Sequence, residues 1–147
     1  MPRPLSTLLN QKDGRVITVH PDETVFEAIG RMVDANVGAI LVVEGGTLQG
    51  IFTERDYLRR IALQGRTSRE TPVRDAMTSD LVTVDPETRV DDCLALMTER
   101  KIRHLPVLSG GDLVGIVSIG DCVRDRLDEA TEDARDLHRF VSGGYGQ

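Results

Sequence analysis

The sequence contains no tryptophan, and aromatic residues of all kinds make up only 3% of its 147 residues. Because apolar residues still account for 39% of the chain, we expect a core that is packed by Val, Ile, Leu and Ala. Basic residues are also few: 18 Lys and Arg stand against 24 Asp and Glu, which gives a formal net charge of −6. A protein that neutralises nucleic-acid phosphates needs a basic surface, so this composition argues against nucleic acid as a partner.

Long apolar runs and metal-binding spacings are absent too. No apolar run approaches the roughly 20 residues of a membrane span, and the N-terminal MPRPLSTLLNQ lacks the pattern of a signal peptide. The two cysteines, Cys93 and Cys122, form no CxxC spacing, and the three histidines are scattered along the chain. We therefore expect core thiols, no metal site, no membrane segment and a cytoplasmic location.

One long pattern occurs twice. Sliding the chain on itself by 65 positions aligns residues 16–62 with residues 81–127 without a gap, and 13 of the 47 pairs are identical. The identical positions include the ends of GIFTERD (50–56) and GIVSIGD (115–121). This similarity indicates an internal duplication. Neither half buries enough surface alone, so we expect the halves to pack together about a pseudo-twofold axis.

Each repeat predicts the same order of elements, β-α-β-β-α, and therefore an α+β fold. After the Pro turn of each repeat, apolar residues recur at the spacing of a helix. Thr24–Glu27 and Thr88–Asp91 both resemble the capping box that starts a helix. A Gly-Gly hairpin turn then joins two strands in each repeat. The predicted domains are repeat 1 at 1–65 (core 16–62), a linker at 66–75, repeat 2 at 76–130 (core 81–127), and a C-terminal helix and tail at 131–147.

The repeated hydroxyl and aspartate allow two interpretations. Thr53-x-x-Asp56 and Ser118-x-x-Asp121 fit simple helix caps, which is the commoner role of this spacing. They also fit a nucleoside phosphate pocket, because the start of a helix favours an anion and a carboxylate accepts hydrogen bonds from ribose hydroxyls. Gly50 and Gly115 would let another backbone or a flat ligand approach closely.

These motifs resemble the CBS domain, a family found as tandem pairs called Bateman modules. The resemblance covers residues 16 to about 127 and depends on G-h-x-[S/T]-x-x-D in both repeats, with TVxP and RHLPV. The ends TERDYLRRI and RFVSGGY look like the small stand-alone bacterial type. Membership implies a non-enzymatic regulatory sensor and homodimer that binds an adenine nucleotide between its repeats. AMP is favoured, with ADP, ATP, NAD(H) or S-adenosylmethionine as alternatives, and no catalytic cofactor is expected.

The resemblance also implies two sites, each built from both repeats. Asp121 would hold the ribose, Ser118 the phosphate or ribose, and Ile116 would lie against the base. The first site is expected to comprise Ile17, Thr18, Gly38, Ala39, Arg103, Ile116, Ser118, Gly120 and Asp121. The second is expected to comprise Ile51, Thr53, Arg55, Asp56, Val82, Thr83 and His104. Basic residues at 103 and 104 align with Gly38 and Ala39, so the two sites are not equivalent.

Two other classes of function remain open on the sequence. An enzyme is disfavoured, because no activated nucleophile, metal cluster or Walker lysine is evident. A ligand-free protein-interaction module, in which both motifs serve only as helix caps, is the main alternative to a nucleotide sensor.

Overall fold

The computed structural model describes residues 3–11 and 16–144 and has the α+β fold that the sequence predicts. The helices are α1 (Leu5–Gln11), α2 (Val25–Ala35), α3 (Glu54–Asp56, continued as a π-helix over Tyr57–Ala62), α4 (Val90–Arg100) and α5 (Ile119–Gly144). The strands are β1 (Thr18–Val19), β2 (Ala39–Glu44), β3 (Thr47–Thr53), β4 (His104–Ser109) and β5 (Asp112–Ser118). A short 3₁₀ turn lies at Val73–Asp75.

The two repeats build matching sheets. In repeat 1, β1 pairs in parallel with β2, and β2 pairs antiparallel with β3. In repeat 2, β4 pairs antiparallel with β5, and Val84 forms a parallel bridge to Val107 at the place of β1. Both hairpins turn through the predicted Gly-Gly pairs, whose φ angles lie between 58° and 89°. Glycine adopts such positive φ angles without steric cost, so the predicted turns are confirmed.

The first helix of each repeat buries one apolar face. The buried residues of α2 are Val25, Ala28 and Met32, and those of α4 are Val90, Cys93 and Met97, each 65 positions further on. Burial raises the pKa of the Cys93 thiol to about 11, so this cysteine stays protonated and unreactive, as a core thiol should.

The predicted helix caps have different outcomes. Thr24 caps α2, since its Oγ1 accepts the Glu27 N–H at 3.1 Å. The capping box predicted at Thr88–Asp91 is wrong, because α4 begins at Val90 and its N-cap position is Arg89. Helices α2 and α4 begin 65 positions apart, whereas the two predicted boxes lie only 64 apart, so the second box falls one residue early.

The segment that precedes the core of repeat 1 packs on repeat 2. The Leu5 N–H donates to the Thr88 carbonyl at 2.8 Å, and the Val90 N–H donates to the Arg3 carbonyl at 2.8 Å. Leu5 and Leu8 are buried in the core of repeat 2, beside Val90. The N-terminal segment thus completes the core of the half that lies further along the chain.

The segment before the core of repeat 2 makes the reciprocal contact. The Val73 N–H donates to the Glu23 carbonyl at 2.8 Å, and the Val25 N–H donates to the Thr71 carbonyl at 2.9 Å. Val73 and Ala76 are buried in the core of repeat 1. The repeats therefore exchange their leading segments, residues 3–9 and 71–77, which we call the exchanged segments.

Gly50 and Gly115 are where the exchanged segments meet the hairpins. A Cβ on Gly50 would lie 2.8 Å from the Thr78 carbonyl oxygen and 2.8 Å from the Met77 sulfur. On Gly115 it would lie 2.9 Å from the Leu9 Cδ2. The close approach that the sequence predicts at these glycines is thus made by the protein itself.

The halves pack through their strands, as the sequence predicts. Ala39, Leu41 and Ile51 of repeat 1 form a shared apolar cluster with Leu113 and Ile116 of repeat 2. Equivalent backbone hydrogen bonds flank this cluster. The Glu54 N–H donates to the Gly38 carbonyl at 3.1 Å, and the Ile119 N–H donates to the Arg103 carbonyl at 2.8 Å.

Helix α5 is one continuous helix, which joins the predicted second helix of repeat 2 to the predicted C-terminal helix; residues 145–147 lie outside the described part of the chain. Asp125 and Glu129 are buried on this helix, and the Arg3 guanidinium lies 3.4 Å from the Asp125 carboxylate. Burial raises the pKa of Asp125. None of the described helices combines the length and the low polarity that a membrane span requires.

Candidate functional site

A cavity of about 620 Å³ opens between the two repeats. Its walls come from the segment before β1, the end of α2, the start of β2, and the junction of β5 with α5. Six of the residues predicted for the first site line it: Ile17, Gly38, Ala39, Ile116, Ser118 and Asp121. The structure therefore brings together the parts of the chain that the prediction combined.

Ser118 and Asp121 form a reciprocal cap at the start of α5. The Asp121 N–H donates to the Ser118 Oγ at 3.1 Å, and the Ser118 N–H donates to the Asp121 Oδ2 at 2.9 Å. The other carboxylate oxygen, Oδ1, accepts a hydrogen bond from Arg124 at 2.8 Å. The Arg124 side chain is 71% exposed, so this ion pair is weak and can exchange with solvent or a ligand. The motif is a helix cap, and its carboxylate still borders the cavity.

Apolar groups from both repeats line the cavity beside these polar ones. Ile17, Val37 and Leu41 come from repeat 1, and Ile116 comes from repeat 2. Branched aliphatic side chains from both repeats suit a flat ring, which loses water when it enters such a cavity.

The cavity residues from the end of α2 and from the first turns of α5, apart from Asp121, were not predicted from the sequence. Asn36 ends α2 in the left-handed conformation, with φ 56°, and Asp34 lies beside it in the cavity wall. Arg124 follows Asp121 by one helical turn. One signal could have found it: Arg124 and Arg59 are an identical pair in the alignment of the repeats.

Three residues predicted for the first site are not among the cavity-lining residues. Thr18 lies in β1, where its carbonyl accepts a hydrogen bond from Arg31 at 3.0 Å. Arg103 is exposed, and its carbonyl accepts the Ile119 N–H at 2.8 Å. Gly120 is exposed in the first turn of α5.

The second predicted site has a different environment. Thr53 and Asp56 form the same reciprocal cap, but the second Asp56 oxygen accepts the Thr78 hydroxyl at 3.1 Å. Asp56 is accordingly buried, at 8% exposure. Arg55 is exposed and donates through Nη1 to the Lys101 carbonyl at 3.3 Å. This hydrogen bond joins the start of α3 to the end of α4.

The other residues predicted for the second site are dispersed. Ile51 is buried in the cluster between the repeats, and Val82 packs against the core of repeat 2. Thr83 is exposed. His104 lines the cavity of the first site instead. A role in ligand binding remains a prediction for every residue of both sites.

His20, Asp22 and Glu44 are an exposed group with metal-ligand chemistry. The His20 Nε2 lies 3.1 Å from a Glu44 carboxylate oxygen, and the His20 Nδ1 accepts the Asp22 N–H at 3.0 Å. The Asp22 carboxylate is also paired with Arg74. Both imidazole nitrogens thus have protein partners, and a surface network of hydrogen bonds and ion pairs accounts for the group.

Two β-α-β-β-α repeats with exchanged leading segments and a shared cleft define the class of this protein, a tandem-repeat α+β module. The CBS domain model matches residues 12–63 and 73–128, and the chain belongs to the CBS-domain family. It is 46% identical over 138 residues to the mitochondrial CBS domain-containing protein CBSX3 of Arabidopsis thaliana, covering 90% of this chain and 67% of the relative.

Two further proteins support the assignment. CBS domain-containing protein YhcV of Bacillus subtilis is 41% identical over 123 residues, covering 84% of this chain and 87% of the relative. A solved structure of a candidate signal-transduction protein with CBS domains, from Burkholderia ambifaria, superimposes with a TM-score of 0.83 at 42% identity. The match covers 86% of this chain and 95% of that chain.

Proposed function

We propose that this protein is a regulatory module that binds an adenine nucleotide in the cleft between its CBS repeats. The observation that carries this proposal is the cavity, which takes its walls from both repeats and has the Ser118–Asp121 pair at its edge. The candidate signalling role of the similar Burkholderia protein supports a regulatory function over a catalytic one.

The chemistry of the cavity suits a nucleoside with a phosphate. The Asp121 Oδ1, now held by an exposed guanidinium, can accept ribose hydroxyls if Arg124 turns toward solvent. The start of the long helix α5 favours a negative group near Ser118. The aliphatic walls then enclose the base.

Regulation follows from the position of the cleft. A ligand that contacts Ile17 and Gly38 of repeat 1 together with Ser118 of repeat 2 binds best to one relative arrangement of the halves. It therefore shifts their equilibrium by the difference between its affinities for the two arrangements. The binding of a partner that recognises one arrangement therefore depends on the nucleotide concentration.

Thermal unfolding with AMP, ADP, ATP, NAD, NADH and S-adenosylmethionine tests the proposal. A ligand present at a hundredfold excess over its Kd stabilises the folded state by about 2.7 kcal/mol and raises the Tm by several degrees. AMP is the ligand we favour. If none of the six raises the Tm, the ligand-free interaction module becomes the better description.

A pair of variants separates ribose binding from helix capping. Asp121→Ala removes a cap and the proposed ribose acceptor, so we expect a large loss of nucleotide affinity with about 1 kcal/mol of destabilisation. Thr24→Ala is the matched control, because it removes the N-cap of α2, and Thr24, unlike the last residues of that helix, does not line the cavity. It should cost similar stability and leave affinity unchanged. Equal nucleotide affinity in both variants would favour the capping interpretation.

Assembly as a homodimer and a cytoplasmic location are further parts of the proposal. Leu58, Val123 and Leu127 are 57%, 44% and 61% exposed, and Leu58 and Val123 occupy equivalent positions of the two repeats. A second copy would cover these exposed apolar side chains.

A further inference from the structure

The two copies of the repeated motif have different surroundings. Ser118 and Asp121, the repeat 2 copy, line the cavity of the first predicted site, which we call the first cleft. Thr53 and Asp56, the repeat 1 copy, are not among the residues that line this cavity. Both copies form the same reciprocal helix cap. The difference therefore lies in the partner of the carboxylate oxygen that the cap does not use.

In repeat 1 the protein's own chain binds that oxygen. The Thr78 hydroxyl donates to the Asp56 Oδ1 at 3.1 Å, while the Asp56 Oδ2 accepts the Thr53 N–H at 3.0 Å. Asp56 is only 8% exposed. The Thr78 hydroxyl is a secondary alcohol, like the hydroxyls of ribose, and each such group donates one hydrogen bond. Thr78 therefore occupies Asp56 as a ligand hydroxyl would.

The backbone keeps Thr78 in this place. Thr78 forms an antiparallel bridge with Ile51 of β3. The Ile51 N–H donates to the Thr78 carbonyl at 2.9 Å, and the Thr78 N–H donates to the Ile51 carbonyl at 2.8 Å. Arg60, in the π-helical part of α3, donates to the carbonyls of Ala76 and Met77. Main-chain pairing and an arginine thus hold the hydroxyl beside the carboxylate.

The segment before repeat 1 has a different conformation at the equivalent place. The exchanged segments align at 68 positions, which puts Asn10 opposite Thr78. Asn10 is exposed in helix α1. A helix does not present the extended backbone that pairs with a strand. This segment instead meets β5 through the Leu9 side chain, which lies against Gly115.

The corresponding oxygen of Asp121 has a partner that a ligand can replace. It accepts its hydrogen bond from Arg124, whose side chain is 71% exposed. An exposed ion pair of this kind contributes little stability, so ribose hydroxyls can take its place. A ligand at Asp56 would have to displace Thr78, which is anchored by its bridge to β3.

We propose that Thr78 closes the repeat 1 copy of the motif as an internal ligand, so that each chain binds one nucleotide, at Ser118 and Asp121. This inference rests on the proposed function, because it sets the number of nucleotides that the module takes. Asp56 then has a structural role, in which it ties the segment before repeat 2 to the start of α3.

Isothermal titration calorimetry of the full chain with AMP tests the stoichiometry. Asp56→Asn and Asp121→Asn are matched variants, because they make the same change in the two copies of the motif. We expect about one AMP per chain for the original chain and for Asp56→Asn, with affinities that agree within about twofold. In Asp121→Asn the affinity should fall at least roughly tenfold, since a charged acceptor is lost. About two AMP per chain, or a site lost in Asp56→Asn, would overturn the inference.

A double-mutant cycle in urea tests the internal contact without a ligand. Asp56→Asn and Thr78→Val should be coupled by roughly tenfold in the unfolding equilibrium constant, because they share a hydrogen bond to a charged group. Thr47→Val is the control for the loss of a hydroxyl, since Thr47 is exposed at the start of β3, and it should show no coupling to Asp56→Asn. Absence of coupling at Thr78 would also sink the inference. If the coupling is present but AMP binds to no chain, the proposed function fails and the contact between Thr78 and Asp56 stands as a clasp.

Discussion

At the residue scale, the pKa of a carboxylate in this protein depends on its hydrogen-bond partners and on its burial. Glu23 lies at the turn before α2, where it accepts hydrogen bonds from the Arg31 guanidinium, at 2.9 Å to Oε2, and from the His20 N–H, at 2.8 Å. The Arg31 hydrogen bond and the His20 N–H lower the pKa of Glu23 to about 2. Asp125 shows the opposite effect, because burial on α5 raises its pKa.

Glu23 should make the stability of repeat 1 dependent on acid pH. Its pKa falls from 4.5 to about 2 on folding, so the folded state favours the charged form. The stabilisation is complete above about pH 4.5 and is lost as the pH falls through about 2. Since the ion pair with Arg31 is partly exposed, we expect Glu23→Gln to cost about 1 kcal/mol at pH 7 and little at pH 2.

Urea unfolding of the original chain and of Glu23→Gln between pH 2 and pH 7 measures how their difference in stability depends on pH. Glu70→Gln is the control, because Glu70 is exposed and forms no ion pair among the described residues. A loss in Glu23→Gln that is the same at every pH would contradict an ionisable origin and would indicate lost packing instead.

At the element scale, the exchanged segments and the residue that follows the second one determine how much room each hairpin glycine has for a side chain. Residues 77–78 lie across Gly50, and Leu9 lies across Gly115. The two contacts differ in kind, because Gly50 faces a backbone carbonyl and Gly115 faces the end of a flexible side chain. These two equivalent positions therefore differ in how well they tolerate a larger side chain.

Gly50→Ala should destabilise the protein more than Gly115→Ala does. The Thr78 carbonyl is held by its hydrogen bond from the Ile51 N–H, so it cannot retreat from a new methyl group, and we expect a loss of about 1–3 kcal/mol. Leu9 can change rotamer, which should keep the loss at Gly115 below about 1 kcal/mol. Urea unfolding of both variants measures the difference. Equal losses would show that the Thr78 backbone shifts as easily as a side chain.

The exchange also shows where sequence reasoning stops. The element order follows from the gapless alignment at 65 positions, and the structure confirms it. The exchanged segments align at 68 positions instead, with Pro4 opposite Pro72 and Leu5 opposite Val73, so a gapless comparison misses them. Nor does periodicity reveal that Leu5 packs beside Val90, since that contact closes a loop of most of the chain.

The residues of the cavity were also only partly predictable from the sequence. Its motif residues Ser118 and Asp121 repeat in sequence, whereas Asp34 and Asn36 enter the wall only because α2 ends beside the cleft. His104 lines the first cleft although the resemblance assigns it to the second. It occupies the position of Ala39 in the alignment, and both residues line this one cavity, where the His104 Cε1 lies 3.8 Å from the place of a Cβ on Gly38.

At the scale of the whole molecule, the exchange ties the stability of each repeat to the segment that precedes the other. Repeat 2 needs Leu5 and Leu8 in its core, and repeat 1 needs Val73 and Ala76. Neither core is complete without the other half's leading segment, so we expect the chain to unfold in one cooperative transition. A ligand in the cleft then acts on a single coupled unit.

Leu5→Ala is the sharpest test of this coupling. Leu5 is fully buried in the core of repeat 2, so the cavity left by its loss should cost about 2–5 kcal/mol in urea unfolding. Hydrogen exchange should show the loss of protection in α4, β4 and β5, which lie some 85 or more residues further along the chain, and also in repeat 1, because the halves unfold together. Leu63→Ala, at an 82% exposed position, is the control and should change neither measurement. A loss of protection confined to α1 would mean that the N-terminal segment only rests on repeat 2. A loss that spreads through repeat 2 and reaches repeat 1 would establish that the exchanged segments make the two halves one folding unit.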